Sequence, residues 1–125
     1  MSDLDALLTR LRAAAGADRW LDVEIARAVG ADLGHAAGMH DALLAQPFSP
    51  VRRYTSSVDA ALTLVPEGKA WTVGQNVHHW YWSASVNALD EDGAPKSIGW
   101  GGPSNSPALA LCAAALQARM EALGE

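Results

Sequence analysis

Only one cysteine, Cys112, occurs in the chain, so no intramolecular disulfide can staple it and its stability has to come from packing. A lone thiol fits a reducing compartment. Cys112 also sits inside an Ala- and Leu-rich helical pattern, where a thiol reads as a small core residue rather than a nucleophile. Basic residues are few as well, nine against fourteen acidic ones, for a formal charge of -5. That balance withholds electrostatic support from duplex nucleic acid or an anionic membrane as partner. The one basic concentration, Arg52-Arg53 before Tyr54, is too short for a phosphate-binding stripe. Apolar runs never approach the length of a membrane span, and Met1-Ser-Asp-Leu-Asp5 has no cationic segment followed by an apolar one, so the expectation is a cytosolic protein.

Metal and catalytic signatures are also missing. His35 and His40 lie in an irregular stretch, and His78 and His79 are neighbours that an extended backbone would point apart, so neither pair has metal-ligand spacing. Asp90-Glu-Asp92 lacks the alternating oxygen ligands of a calcium loop. The glycines of Gly99-Trp-Gly-Gly-Pro103 lack the Lys-Ser/Thr ending of a phosphate loop and read as a turn before the last helix. Asp59, near a helix start, reads as a first-turn stabilising acid. No metal and no cofactor is implied by these residues.

What is present is half apolar: 125 residues with 50% hydrophobic content, enough for one core and one domain spanning 1–125. Leu4, Leu7, Leu8 and Leu11 recur at helical spacing, predicting a helix from 3 to about 15 that Gly16 ends. A second helix after Asp18 presents Leu21, Ile25, Ala28 and Val29, with Gly30 as its cap, and the two form a helical hairpin. Residues 30–54, punctuated by Gly34, Gly38, Pro47 and Pro50, read as a long ordered loop with room for a helical turn around Met39 to Ala45; a loop of that length in a compact domain points to function. Ser56 or Ser57 caps a middle helix carrying Val58, Ala61, Leu62 and Val65, which Pro66 and Gly68 terminate.

The period then changes. Residues 70–73, 77–89 and 97–100 read as three antiparallel strands separated by turns at 74–76 and 90–95. Ser106-Pro107 opens a last helix whose stripe is Leu109, Cys112, Ala113, Leu116, Met120 and Leu123, with Gln117, Arg119 and Glu121 elsewhere on the circumference. Its alanines permit close approach to a sheet. The predicted fold is α+β: a small three-stranded antiparallel sheet packed with N-terminal helices, a middle helix and a C-terminal helix.

Three of the five tryptophans fall in Trp71-Thr-Val-Gly-Gln-Asn-Val-His78-His79-Trp80-Tyr81-Trp82. A strand through 78–86 projects His78, Trp80, Trp82, Ala84 and Val86 to one side, read as core, and His79, Tyr81, Ser83 and Ser85 to the other, read as a binding face. Trp100 joins that face in one register and leaves it in the next. Such a face suits stacking on a planar ligand, with Arg52 or Arg53 to meet phosphate. It equally suits a protein partner or plain solvent. The candidate binding residues are therefore Arg52, Arg53, Tyr54, Trp71, His79, Tyr81 and Trp100. Each has a structural alternative: Tyr54 closes a helix end, Trp71 and Trp100 complete the core, and His79 and Tyr81 face water.

Tyr54-Thr-Ser-Ser-Val-Asp59-Ala-Ala-Leu-Thr-Leu-Val-Pro-Glu-Gly68, the Trp-containing strand after it, and Ser106-Pro-Ala-Leu-Ala-Leu-Cys112-Ala-Ala-Ala-Leu116 resemble the small phage-associated αβα sandwich domains. Leu21-Asp-Val-Glu-Ile-Ala-Arg-Ala-Val-Gly30 is similar to the start of those proteins, while 31–46 matches them poorly. The resemblance covers most of the chain. It implies a phage or prophage accessory protein in the cytoplasm of a bacterial host, one that blunts a host defence, and it carries no active-site assignment. In that setting the reading is a non-catalytic binder of a host protein or of a small nucleotide-like ligand. The alternatives are a nucleotide-processing enzyme with His79 as acid or base and Arg52 or Arg53 on phosphate, and a virion assembly component. Exposed sheet edges make a homodimer the expected assembly.

Overall fold

Asp18 starts a helix by satisfying its orphan amides. Its carboxylate accepts from the backbone N–H of Trp20 at 2.8 Å and Leu21 at 3.3 Å, and α2 (Arg19–Ala28) follows. The chain is described here by a computed structural model that covers residues 3–76 and 81–123. α1 (Asp3–Ala13) precedes α2 and packs against it as the predicted hairpin. Past α2, Gly30 adopts φ 68°, the left-handed conformation that closes a helix at low steric cost.

The segment from 31 to 57 holds a 3₁₀ turn (Gly34–Gly38) and a single α-turn, α3 (Asp41–Leu44), where the sequence left room for one. Its order comes from a buried polar cluster and from Arg27, which pairs with Asp41 at 2.8 Å and donates to the Met39 carbonyl at 2.9 Å. Asp22, 1% exposed, accepts from the Thr55 backbone N–H at 2.8 Å and from the Thr55 hydroxyl at 2.7 Å, while its other oxygen meets Arg19 Nη1 at 2.9 Å. Arg19 in turn donates to the carbonyl of Val51 at 3.0 Å and to the Ser49 hydroxyl at 2.8 Å. Removing one member of such a buried charged set strands the others and costs about 3–5 kcal/mol. The irregular segment is thus tied to α2 by named bonds, and Arg52 and Tyr54 are held in place with it.

Ser57 caps α4 (Val58–Leu62), its side chain accepting from the Ala60 N–H at 3.2 Å. β1 (Ala70–Asn76), β2 (Tyr81–Leu89) and β3 (Pro95–Ser104) then form an antiparallel sheet in the order β1-β2-β3, and α5 (Pro107–Leu123) closes the chain. The fold is α+β with a three-stranded antiparallel sheet and several helices, as the sequence predicts. Two predicted turns are strand instead. Residues 74–76 continue β1, paired with Tyr81 to Ser83, and the glycine run 99–103 lies within β3. Glycines read as punctuation there because their second use, close approach of a backbone, is invisible without a neighbour.

That neighbour is α5. A Cβ on Gly101 would stand 1.9 Å from the carbonyl oxygen of Ala110, and one on Gly99 would stand 2.0 Å from that of Ala114. Glycine on the strand and alanine on the helix let the two backbones nearly touch. The expectation of a one-sided stripe on α5 is corrected: every residue from Ala108 to Leu116 is buried. One side meets β2 and β3, and the other meets α1 and α4. The layers therefore run sheet, buried helix, outer helices. An αβα sandwich would place the sheet in the middle; here the described helices lie to one side of it. No helix among the described residues is long and apolar enough to cross a membrane.

The sheet's register assigns its faces. Antiparallel partners share a side, so Trp71, Val86 and Gly99 form one row against α5, and Thr72, Ser85 and Trp100 form a row on the other, uncovered side. Ala84 and Val86 are buried and Trp82 packs partly against the core, as alternation predicts. His78 and Trp80, read as core, and His79, read as binding face, lie outside the described residues.

Candidate functional site

Six of the seven candidate residues are among the described ones, and these six do not assemble into one surface. Trp71 is on the α5 side of the sheet at its rim and Trp100 is on the opposite side, both about half exposed, so they cannot share a ligand. Tyr81 does lie on the uncovered side with Trp100. It is four residues along β2 from Ser85, the partner of Trp100, or about 13 Å away. The polar tips of this face bond to one another, across the strands from Thr72 to Ser85 at 2.7 Å and from Asn76 to the Tyr81 hydroxyl at 3.3 Å, and along β2 from Asn87 to Ser85 at 3.3 Å. Trp100 is held by its backbone, donating to Gln117 Oε1 at 2.8 Å while its carbonyl accepts from Arg12 at 3.3 Å. These contacts seal the outer edge of β3 at that point.

Arg52 and Arg53, adjacent in sequence, go separate ways. Arg53 donates to the Pro47 carbonyl at 2.8 Å and so stabilises its own loop. Arg52 instead lines an open cavity of about 560 Å³ together with Tyr54. The other walls are Val29, Ala31, Leu33 and Pro50 from the segments flanking α3, Thr63 and Leu64 just past α4, Asp32, and Arg119 from α5. Four separate stretches of chain meet here.

Tyr54, read as a candidate binding residue with helix closure as its alternative, is 2% exposed and lines the cavity. Its carbonyl accepts the Cys112 thiol at 3.2 Å. Burial pushes the Tyr54 phenol above its ordinary range, while the Arg52 and Arg119 charges pull it down, so both guanidinium groups act on the same hydroxyl. Burial likewise pushes the Cys112 thiol far up, which keeps it protonated and unreactive at neutral pH.

Neither cation of the cavity is ion-paired among the described residues, although the Asp32 carboxylate lines the same cavity. Arg119 donates through Nε to the Leu64 carbonyl at 2.7 Å, which orients the group and leaves its outer nitrogens free for a ligand. No ion pair among the described residues involves Arg52, Arg119 or Asp32; the three that form join Arg10 to Glu24, Arg19 to Asp22 and Arg27 to Asp41. Asp32 uses one oxygen to accept from the Gly34 N–H at 2.9 Å. Two planar donor forks, a phenol and apolar walls are the parts from which carboxylate and phosphate sites are made. Among the described residues no group of three or more His, Cys, Asp or Glu side chains is placed to hold a metal ion.

Arg119 and Asp32 were not singled out as site residues by the sequence. The signal for Arg119 was available: it is the only charged residue between Pro107 and Met120, a stretch that is otherwise apolar or small apart from Gln117. A cation retained there has to reach solvent or an anion. Asp32 carried no comparable signal, being one acid in an irregular stretch.

No family model, no curated protein and no solved structure matches the chain. The resemblance to the phage-associated αβα sandwich domains thus finds nothing behind it, and the phage, prophage and host-defence attributes drawn from it are withdrawn.

Proposed function

We propose that this protein is a non-catalytic binding module for a small anionic ligand of about nucleotide size, seated in the cavity between Arg52, Tyr54 and Arg119. The observation that carries this reading is the convergence of two guanidinium groups, neither ion-paired among the described residues, on one phenol in a cavity of about 560 Å³. That volume lies within the roughly 300–1,000 Å³ of small-molecule sites. Val29, Leu33, Pro50 and Leu64 supply an apolar wall for the ligand's body, and the charged forks supply its anchor. The described lining residues include neither histidine nor cysteine, which favours holding a ligand over transforming it.

Calorimetric titration with inorganic phosphate and a panel of nucleoside monophosphates tests the reading. Saturable binding with the ligand recovered chemically unchanged is the expected result. Arg52→Ala and Arg119→Ala should each weaken it by about tenfold or more, since a charge-assisted hydrogen bond contributes roughly 1.5–3 kcal/mol. Turnover of the nucleotide would replace this reading with the enzymatic one, and unaltered affinity in both variants would remove the cavity from consideration.

A further inference from the structure

Asp32 lines the same cavity as the two arginines, yet it pairs with neither. A cavity holding separated charges of opposite sign complements a ligand with the reverse arrangement. Building on the binding function proposed above, we infer that the cavity selects a ligand carrying an N–H donor as well as an anionic group: the anion on Arg52 and Arg119, the donor on Asp32, an apolar body between.

Several features of the site point to this chemistry. The Asp32 carboxylate has two oxygens, and only one is engaged, by the Gly34 N–H. The other accepts from no described group, and on this exposed residue at the cavity wall an ionised carboxylate is an acceptor only. A ligand presenting a carbonyl or a second anion there would be repelled, whereas an ammonium or amino group would be held by a charge-assisted bond. Gly34, at φ 57°, shapes the turn that holds Asp32 in position. The apolar residues Val29, Leu33 and Leu64 border the cavity and give the ligand's body a surface to cover. Rejection at Asp32 and attraction at the arginines would make the site discriminate among anions instead of taking any phosphate.

Two kinds of small molecule carry this pattern, an α-amino acid with an apolar side chain and a nucleotide whose base bears an amino group. The experiment separates them with matched pairs: leucine against 4-methylpentanoate, which lacks the amine, and adenosine monophosphate against purine riboside monophosphate, whose base carries no N–H. Each is titrated into the wild-type protein and into Asp32→Asn, which removes the charge and retains an oxygen for the Gly34 N–H. The expected result is that in one pair the donor-bearing member binds the wild type about tenfold tighter or more, and that Asp32→Asn erases this preference while leaving phosphate affinity equal or higher. The pair that responds identifies the source. Equal affinity within both pairs, or a preference that survives Asp32→Asn, overturns the inference. If phosphate binds and depends on Arg52 and Arg119 but no pair is discriminated, the selection by Asp32 fails and the anion-binding function stands. If neither phosphate nor any of the four compounds binds, both fall. If Asp32→Asn does not fold, equal affinity within both pairs for the wild type still overturns the inference, and Asp32→Ser takes the variant's place.

Discussion

Tyr54 and Cys112 place two ionisable groups in the interior, joined through the Tyr54 carbonyl. Burial raises both above their ordinary values. A proton held more tightly in the folded state stabilises that state while it is bound. The contribution is fully present below the unfolded pKa and is lost as pH rises past it, so stability should fall on the alkaline side, starting near pH 8.5, where an ordinary thiol ionises, and continuing beyond about 10 for the phenol. Urea unfolding midpoints at pH 7, 9 and 10.5 measure this. Cys112→Ala should flatten the first part of the decline and leave the later part; a midpoint constant across the range would show that neither group is sealed in solution. At this scale the sequence was partly legible. Cys112 read as a buried residue because its helical neighbours were apolar. Tyr54 read as ambiguous because aromatic side chains serve core and surface alike.

Among the elements, β3 and α5 approach so closely that Gly99 and Gly101 leave no room for a Cβ. Gly101→Ala should destabilise the fold by about 3 kcal/mol or more, because the added methyl meets the rigid Ala110 carbonyl at 1.9 Å and helix and strand must separate to admit it. Gly74→Ala provides the contrast. Nothing lies within 4 Å of a Cβ there, so the change should alter thermal stability little. Comparable stabilities for the two variants would refute the packing described. Helix starts at Asp18, Ser57 and Ser106 were readable because a cap is a bond between residues two or three apart, as when Leu109 N–H donates to the Ser106 hydroxyl at 3.1 Å. The extent of β3 was not, since glycine marks a turn and a close approach with the same letter.

For the molecule as a whole, the layer order sets where it opens last. α5 is enclosed by the sheet on one side and by α1 and α4 on the other, while the segment 31–53 is held at the surface by Arg19, Asp22 and Arg27. Native-state hydrogen exchange should find the slowest amides in Leu109 to Leu116 and much faster ones in 31–53. Exchange of α5 at the rate of the outer helices would contradict its central position. A bound anion should slow the 31–53 amides selectively, because Asp32 and Arg52 lie in that segment and line the cavity.

Sequence alone was sufficient for the fold class, for the helix starts at Asp18, Ser57 and Ser106, and for the alternation along the described part of β2, because caps, periodicity and strand alternation are relations between residues close along the chain. Tertiary structure decided the rest. Trp71 and Trp100 were separated by a register that depends on pairing across three strands. α5 became the central layer only because two sets of neighbours enclose it. Arg52 and Arg119, sixty-seven positions apart by subtraction of their numbers, became one site because the turn after α4 and the end of α2 bring them to the same cavity. Convergence of distant segments is a property of the packed chain, and no local pattern in the sequence encodes it.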